Sequence, residues 1–240
     1  MFKIDVVTIF PQLFENILEY GVLKESRVQK LCEFNAYDLK DFTKDKHKKV
    51  DDRPFGGGPG MVMTAQPLDD AVSFIKEQNS KRNIINSKTI LLSPQGLKLD
   101  QKMLHYFVSL ENIILICGRY EGVDERAIDL LVDMEVSIGD YVLTGGEIPA
   151  MVIIDGVIRL IDGIVGKKQS LLNESFEQGL LDFPQYTRPE VYKGLSVPEV
   201  LLSGNHGRIE KWRKEKSLES TKIKRPDLIN KNNKTIKTID

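Results

Sequence analysis

Residues 112–122 read Asn112-Ile113-Ile114-Leu115-Ile116-Cys117-Gly118-Arg119-Tyr120-Glu121-Gly122, a continuous apolar, β-prone run that stops at a glycine turn. A strand that is apolar on both faces has to be covered on both faces, the condition of a parallel sheet packed between helices. Runs of the same kind lie at Phe2–Ile9, Lys88–Ser93 and Met134–Ile138, and helical patterns occupy Phe14–Lys30, Pro67–Glu77, Gln101–Leu110 and Asp124–Leu131. This alternation predicts an α/β fold with a mostly parallel sheet. Pro67 fits the first turn of its helix, where a missing N–H costs nothing. A further apolar stretch of helical length, Glu147–Ile161, follows the Thr144-Gly145-Gly146 break, and Asp162–Gln178 is polar and without clear period. Helical patches at Pro198–Leu202 and His206–Leu218 come next, and the Lys/Asn-rich end is expected to be loosely ordered. The predicted division is a domain over 1–160, a linker over 161–178 and a small basic helical domain over 179–240.

A chain of 240 residues with 41% hydrophobic and 29% charged side chains has the composition of an ordinary soluble globular protein. No apolar run approaches the ~18 residues of a membrane-spanning helix. The start, Met1-Phe2-Lys3-Ile4-Asp5, has no long apolar segment, so a cytoplasmic location and no membrane partner are expected. Cys32 and Cys117 sit in apolar segments with no Cys/His clustering and read as small buried hydrophobes, so no zinc or other metal site is expected. The net charge of −1 argues against nonspecific coating of nucleic acid. It conceals an asymmetry, because residues 204–240 carry 11 basic and 5 acidic side chains while residues 1–203 carry 23 and 30. Such a split marks either a polyanion contact or a solvated helix face.

In an open parallel sheet ligands bind beyond the carboxyl ends of the strands. Three loops qualify: Ser93-Pro94-Gln95-Gly96, Gly118-Arg119-Tyr120-Glu121-Gly122, and Gly139-Asp140-Tyr141-Val142-Leu143-Thr144-Gly145-Gly146-Glu147. Singly each reads as a turn. Together they predict one small-molecule pocket built from main-chain groups, since their glycines let backbone approach a ligand closely. No P-loop occurs, as Gly163-Ile164-Val165-Gly166-Lys167-Lys168 has too short a spacing and no hydroxyl after the lysine. No dinucleotide fingerprint occurs either, because Phe55-Gly56-Gly57-Gly58-Pro59-Gly60-Met61 has methionine where the third glycine would fall. That run lies beside Lys44, Lys46, Lys48, Lys49 and Arg53 and reads as a surface loop or as a segment close to a phosphate backbone. His47, His105 and His206 lack triad partners and read as structural, His206 alternatively as a polyanion contact. Trp212, among Lys211, Arg213, Lys214 and Lys216, reads as an anchor of its helix or as part of a polyanion-binding face.

Arg53–Met61, Leu92–Gly96, Cys117–Gly122, Ile138–Glu147, Gly179-Leu180-Leu181-Asp182 and Leu202-Ser203-Gly204-Asn205-His206, in this order and spacing, resemble the bacterial tRNA (guanine-N1)-methyltransferases of the SPOUT class. The resemblance runs from Met1 to roughly Pro226. It implies a parallel sheet with a deep trefoil knot formed after residue 85, an exception to the usual rule against threading. It implies S-adenosylmethionine as methyl donor, tRNA as substrate with N1 of the guanosine 3′ of the anticodon as acceptor, a homodimer, and no DNA partner. The donor site carried over falls on Leu91, Leu92, Ser93, Pro94, Gln95, Gly96, Gly118, Tyr120, Glu121, Gly122, Ile138, Gly139, Asp140, Tyr141, Val142, Leu143, Gly145 and Gly146, the three strand-end loops reached above. The resemblance also implies that Glu121 orients the donor and can recruit Mg²⁺.

Guanine N1 carries a proton and is a poor nucleophile until a base removes it, while charge gathers on O6. The candidate carboxylates around the linker are Asp162, Glu174, Glu177 and Asp182, and the nearby cation is Arg159. By resemblance the base is the residue before Ser175-Phe176, Glu174, with Asp182 as the alternative, and Arg159 is the O6 partner. A planar bidentate donor suits an enolate-like oxygen better than lysine; Arg159 could also simply complement a helix C-terminus. Two positions depart from the family pattern: Glu174 where Asp is usual, and Asp162 where Pro is usual. Two other readings share parts of this pattern, a SPOUT-class enzyme acting on another RNA position and a non-catalytic tRNA-binding protein.

Overall fold

The computed structural model describes residues 1–164 and 174–229. Two compact units divide at Gly166/Lys167. In the first, β1 (Phe2–Thr8), β2 (Cys32–Asp38), β5 (Ser87–Lys98), β6 (Asn112–Cys117) and β7 (Met134–Ser137) form a wholly parallel sheet of order β2-β1-β6-β5-β7. All five carboxyl ends therefore lie along one edge. The three other strand predictions and the apolar run quoted at the outset are the three inner strands of this sheet, β1, β6 and β5, plus its β7 edge. β2 was not expected: Cys-Glu-Phe-Asn-Ala-Tyr-Asp has too few apolar residues to read as a strand, and it needs few because it is an edge with only Cys32 fully buried.

Alternation divides the core. Ile4, Val6, Ile113, Leu115 and Cys117 point into one cluster, whereas Val7, Ile114 and Ile116 point into the other. The first cluster is covered by α1 (Gln12–Ile17), α2 (Gly21–Val28), α4 (Gln101–Val108) and α6 (Glu147–Ile158); the second by α3 (Ala65–Lys81) and α5 (Glu125–Leu131). The helix read over Phe14–Lys30 is two helices, because Gly21 sits at φ +54°, a left-handed conformation that a continuous right-handed helix does not contain. The helix read over Pro67–Glu77 begins at Ala65 and runs to Lys81, with Pro67 in its first turn as expected. α6 is apolar nearly all round because it is packed on several sides. Its Gly156 lets Leu104 of α4 approach so closely that a Cβ would stand 2.8 Å from Leu104 Cδ1.

Between η1, a 3₁₀ turn at Leu39–Asp41, and α3, the short strands β3 (Asp51–Asp52) and β4 (Val62–Met63) pair antiparallel around the glycine-rich run. At the amino ends of the strands a buried polar cluster stands on the sheet. Lys3 Nζ is 2.9 Å from Asp5 Oδ2 and donates to Asn79 Oδ1, and Asn112 Nδ2 donates to Asp5 Oδ2.

The second unit contains the hairpin β8 (Val191–Tyr192) and β9 (Leu195–Ser196), the short α7 (Glu199–Leu202) and the long α8 (His206–Lys224). α8 extends six residues beyond the stretch read from sequence, and Asn205 caps it by accepting the Arg208 N–H. Residues 165–173 of the expected linker and 230–240 of the expected loose end lie outside the described residues.

Candidate active site

The chain turns sharply where β5 ends its pairing. Leu92 and Leu97 both pair with Val136 of β7, so Ser93–Gly96 leaves the ladder and returns to the same residue. Gly96 makes this possible: a Cβ there would lie 2.3 Å from the Val136 main-chain nitrogen. The loop after β6 is tied inward by Glu121 N–H to Met61 C=O and by Met63 N–H to Gly122 C=O. Tyr120 adopts φ +61°, and burial with the nearby Asp51 carboxylate raises its phenol above the ordinary value. The loop after β7 closes against it. Gly146 N–H donates to Gly118 C=O at 2.8 Å, and Arg119 bridges to Gly145.

Between these loops lies a cavity of about 450 Å³, within the range of small-molecule sites. It is lined by Leu91–Gln95, by Gly118–Gly122, and by Ile138, Gly139, Tyr141–Gly146. Sixteen of the eighteen residues expected at the donor site are therefore brought together; Gly96 and Asp140 are not. Gly96 is spent on the approach to Val136, and Asp140 points to solvent with its carboxylate on Lys98 Nζ at 2.7 Å. Leucine, valine and tyrosine side chains at the mouth, Leu143, Val142 and Tyr141, are exposed and form an apolar rim.

Sequence reasoning missed Glu147. It is 1% exposed, opens α6, and accepts from Thr8 Oγ1 at 2.8 Å and from Arg119 Nε at 2.9 Å. The Arg119 guanidinium also lies over the Phe10 ring, 4.6 Å from its centroid. A glutamate after two glycines reads as solvated, and only the fold reveals its burial. The cysteines are as expected: burial pushes the Cys32 thiol up to about 12 and Cys117 well above its ordinary value.

Arg159 is half-buried and terminates α6. In the second unit Glu174 and Asp182 line one cavity of about 540 Å³, together with His206, Arg213 and Lys214. Asp182 is held from both sides, its N–H on Ser175 Oγ and its carboxylate accepting from Phe183 N–H and Gln185 Nε2. Trp212 packs on Tyr186 with ring centroids 6.3 Å apart, the anchoring role. Among the described residues no three His, Cys, Asp or Glu side chains are grouped to hold a metal ion, so Glu121 has no companion set for the Mg²⁺ expected there. Among them, too, no helix is long and apolar enough to cross a membrane.

Residues 2–231 match the family model described as tRNA (Guanine-1)-methyltransferase TrmD. Three curated relatives carry the name tRNA (guanine-N(1)-)-methyltransferase. The one from Caldanaerobacter subterraneus subsp. tengcongensis is 52% identical over 96% of this chain and 93% of its own. That from Ruminiclostridium cellulolyticum is 52% identical over 95% and 97%, and that from Dictyoglomus turgidum 49% identical over 98% and 93%.

Proposed function

The chain belongs to the tRNA (guanine-1)-methyltransferase family, and from this premise we propose that it transfers a methyl group from S-adenosylmethionine to N1 of guanosine 37, 3′ of the anticodon, in tRNA. The observation that carries the reading is the single cavity enclosed by the loops after β5, β6 and β7. Its walls are of the kind a nucleoside needs: glycine backbone at Gly118, Gly139, Gly145 and Gly146, where no side chain keeps a ligand at a distance, and Ile138 and Leu143 for apolar contact with a base. The sulfonium of the bound donor supplies an already activated methyl group, so no metal is required for its departure.

The rest is acid–base chemistry by the chain itself. Glu174 removes the N1 proton, with Asp182 beside it as the alternative, and Arg159 receives the charge that develops on O6 through two parallel N–H donors. The basic surface of α8 supplies phosphate contacts, which hold the tRNA without reading its sequence. The division into a donor-binding domain over 1–160, a base-bearing linker and a tRNA-gripping domain over 179–240 belongs to this reading. So do the trefoil knot after residue 85, a cytoplasmic location, and a homodimer in which one protomer's cavity is served by its partner's linker. Calorimetric titration with S-adenosylmethionine and light scattering test it. Saturable binding by a dimer is expected; a monomer at micromolar concentration contradicts the dimer, and no heat of binding contradicts the donor site.

A further inference from the structure

Glu147 is not itself among the residues that line the cavity, yet three strand ends converge on its side chain. Thr8 closes β1, Arg119 follows β6, and Glu147 itself ends the loop after β7. Thr8 is fully buried, and its hydroxyl also accepts the Phe10 N–H, so the loop after β1 is fixed to the same carboxylate. The pair lies close against the Gly145 backbone: a Cβ there would stand 2.2 Å from Arg119 Nε and 2.6 Å from Glu147 Oε2. Glu147 is also the first residue of α6, where a negative charge is favoured by the helix dipole.

From this geometry we infer that Glu147 is a positioning residue for the methyl donor: through Arg119 and Thr8 it sets the spacing between the Gly118–Gly122 and Gly139–Gly146 walls of the cavity. The inference rests on the donor-site reading above. Charge is what the arrangement uses. A glutamine has the same shape but presents one oxygen and one NH₂ group, so it can satisfy Arg119 or Thr8 as an acceptor, never both. The guanidinium, itself only partly buried, is then left with a neutral partner, and the two loops are free to part by the fraction of an ångström that a main-chain-lined pocket cannot tolerate.

Glu147→Gln should therefore weaken S-adenosylmethionine binding by roughly tenfold to a hundredfold, the scale of losses when groups orienting a site's direct ligands are removed. KM for the donor rises accordingly while KM for tRNA stays put. A role confined to holding the fold together would lower the melting temperature and leave donor affinity per folded molecule unchanged. Thr8→Val, which is isosteric and distant from the cavity, provides the second arm. It should weaken the donor severalfold in the native background and have no further effect when combined with Glu147→Gln, a coupling that only a shared path produces. All four proteins are titrated with S-adenosylmethionine well below their melting temperatures. If wild type binds and both single variants, folded, bind equally well, the inference is overturned. If wild type itself fails to bind, the donor-site reading falls instead.

Discussion

Gly146 donates its main-chain N–H to the carbonyl oxygen of Gly118 at 2.8 Å, and a Cβ on Gly146 would stand 2.7 Å from Cys117 Cα. The two walls of the cavity are thus in backbone contact, and the glycine is required by proximity, since its φ of −79° suits any residue. Gly146→Ala should cost about 1–3 kcal/mol by overpacking. At ~2–4 °C per kcal/mol for a chain of this size, differential scanning calorimetry would resolve the loss, and donor binding should fall with it.

A different glycine is required by its dihedral angle. Gly60 adopts φ +84° and its missing Cβ leaves the space taken by Glu121, whose Oε1 would be 2.3 Å away. Because a glutamate side chain can swing aside, Gly60→Ala is expected to fold, at a loss of about 1–2 kcal/mol for the left-handed backbone. The displaced Glu121 should be visible in a crystal structure of the variant and as lower turnover. Gly57→Ala, at φ +80° in open space, should carry the backbone cost alone and leave turnover intact.

Lys3 and Asp5 are 3% and 0% exposed, at the edge of the sheet opposite the cavity. Lys3→Met removes the cation and leaves the carboxylate buried with the neutral donors Asn35, Asn112 and Tyr37. Breaking such a pair costs about 3–5 kcal/mol. Urea unfolding should show a lower midpoint at unchanged slope, with kcat at 25 °C preserved because no cavity residue is touched.

Asp124 caps α5, accepting from Arg126 N–H and from its guanidinium, and the Arg126 hydrogen bond holds the carboxyl below its ordinary value despite an opposing push from burial. A depressed folded value means a contribution present above the unfolded carboxylate range, near pH ~3.9, and lost as pH falls through the lower folded value. Melting curves from pH 7 to pH 3 should show wild type ahead of Asp124→Asn at neutrality, with the gap closing at the acid end. A gap constant over that range would deny the ion pair any role.

For the chemistry, Glu174→Ala should lower methyl transfer by about 10²–10⁴-fold while donor affinity stays near wild type. Asp182 holds its own turn through Phe183 and Gln185, so Asp182→Asn should have the smaller effect. Single-turnover assays separate the two, and the reverse ranking would transfer the base role to Asp182.

Much of the fold was legible because sheet burial is written in composition. Ile113–Cys117 and Ile90–Leu92 are apolar on both faces, and the glycines after them mark the loops that enclose the cavity. β2 escaped because an edge strand with one buried residue carries no such signature, and the α1–α2 break because a single Gly21 does not announce its φ. Glu147 escaped for the converse reason: its burial is produced by Thr8 and Arg119, 139 and 28 residues away in the chain, which no local pattern contains.

The central claim is a methyl group placed on guanine N1 beside the anticodon, and it is tested by nucleoside mass spectrometry of two tRNA transcripts, one with G and one with A at position 37, after incubation with enzyme and S-adenosylmethionine. The account predicts 1-methylguanosine at that position in the first transcript and no methylated nucleoside in the second. Methyl on a ribose, on another base, or on neither transcript would contradict it.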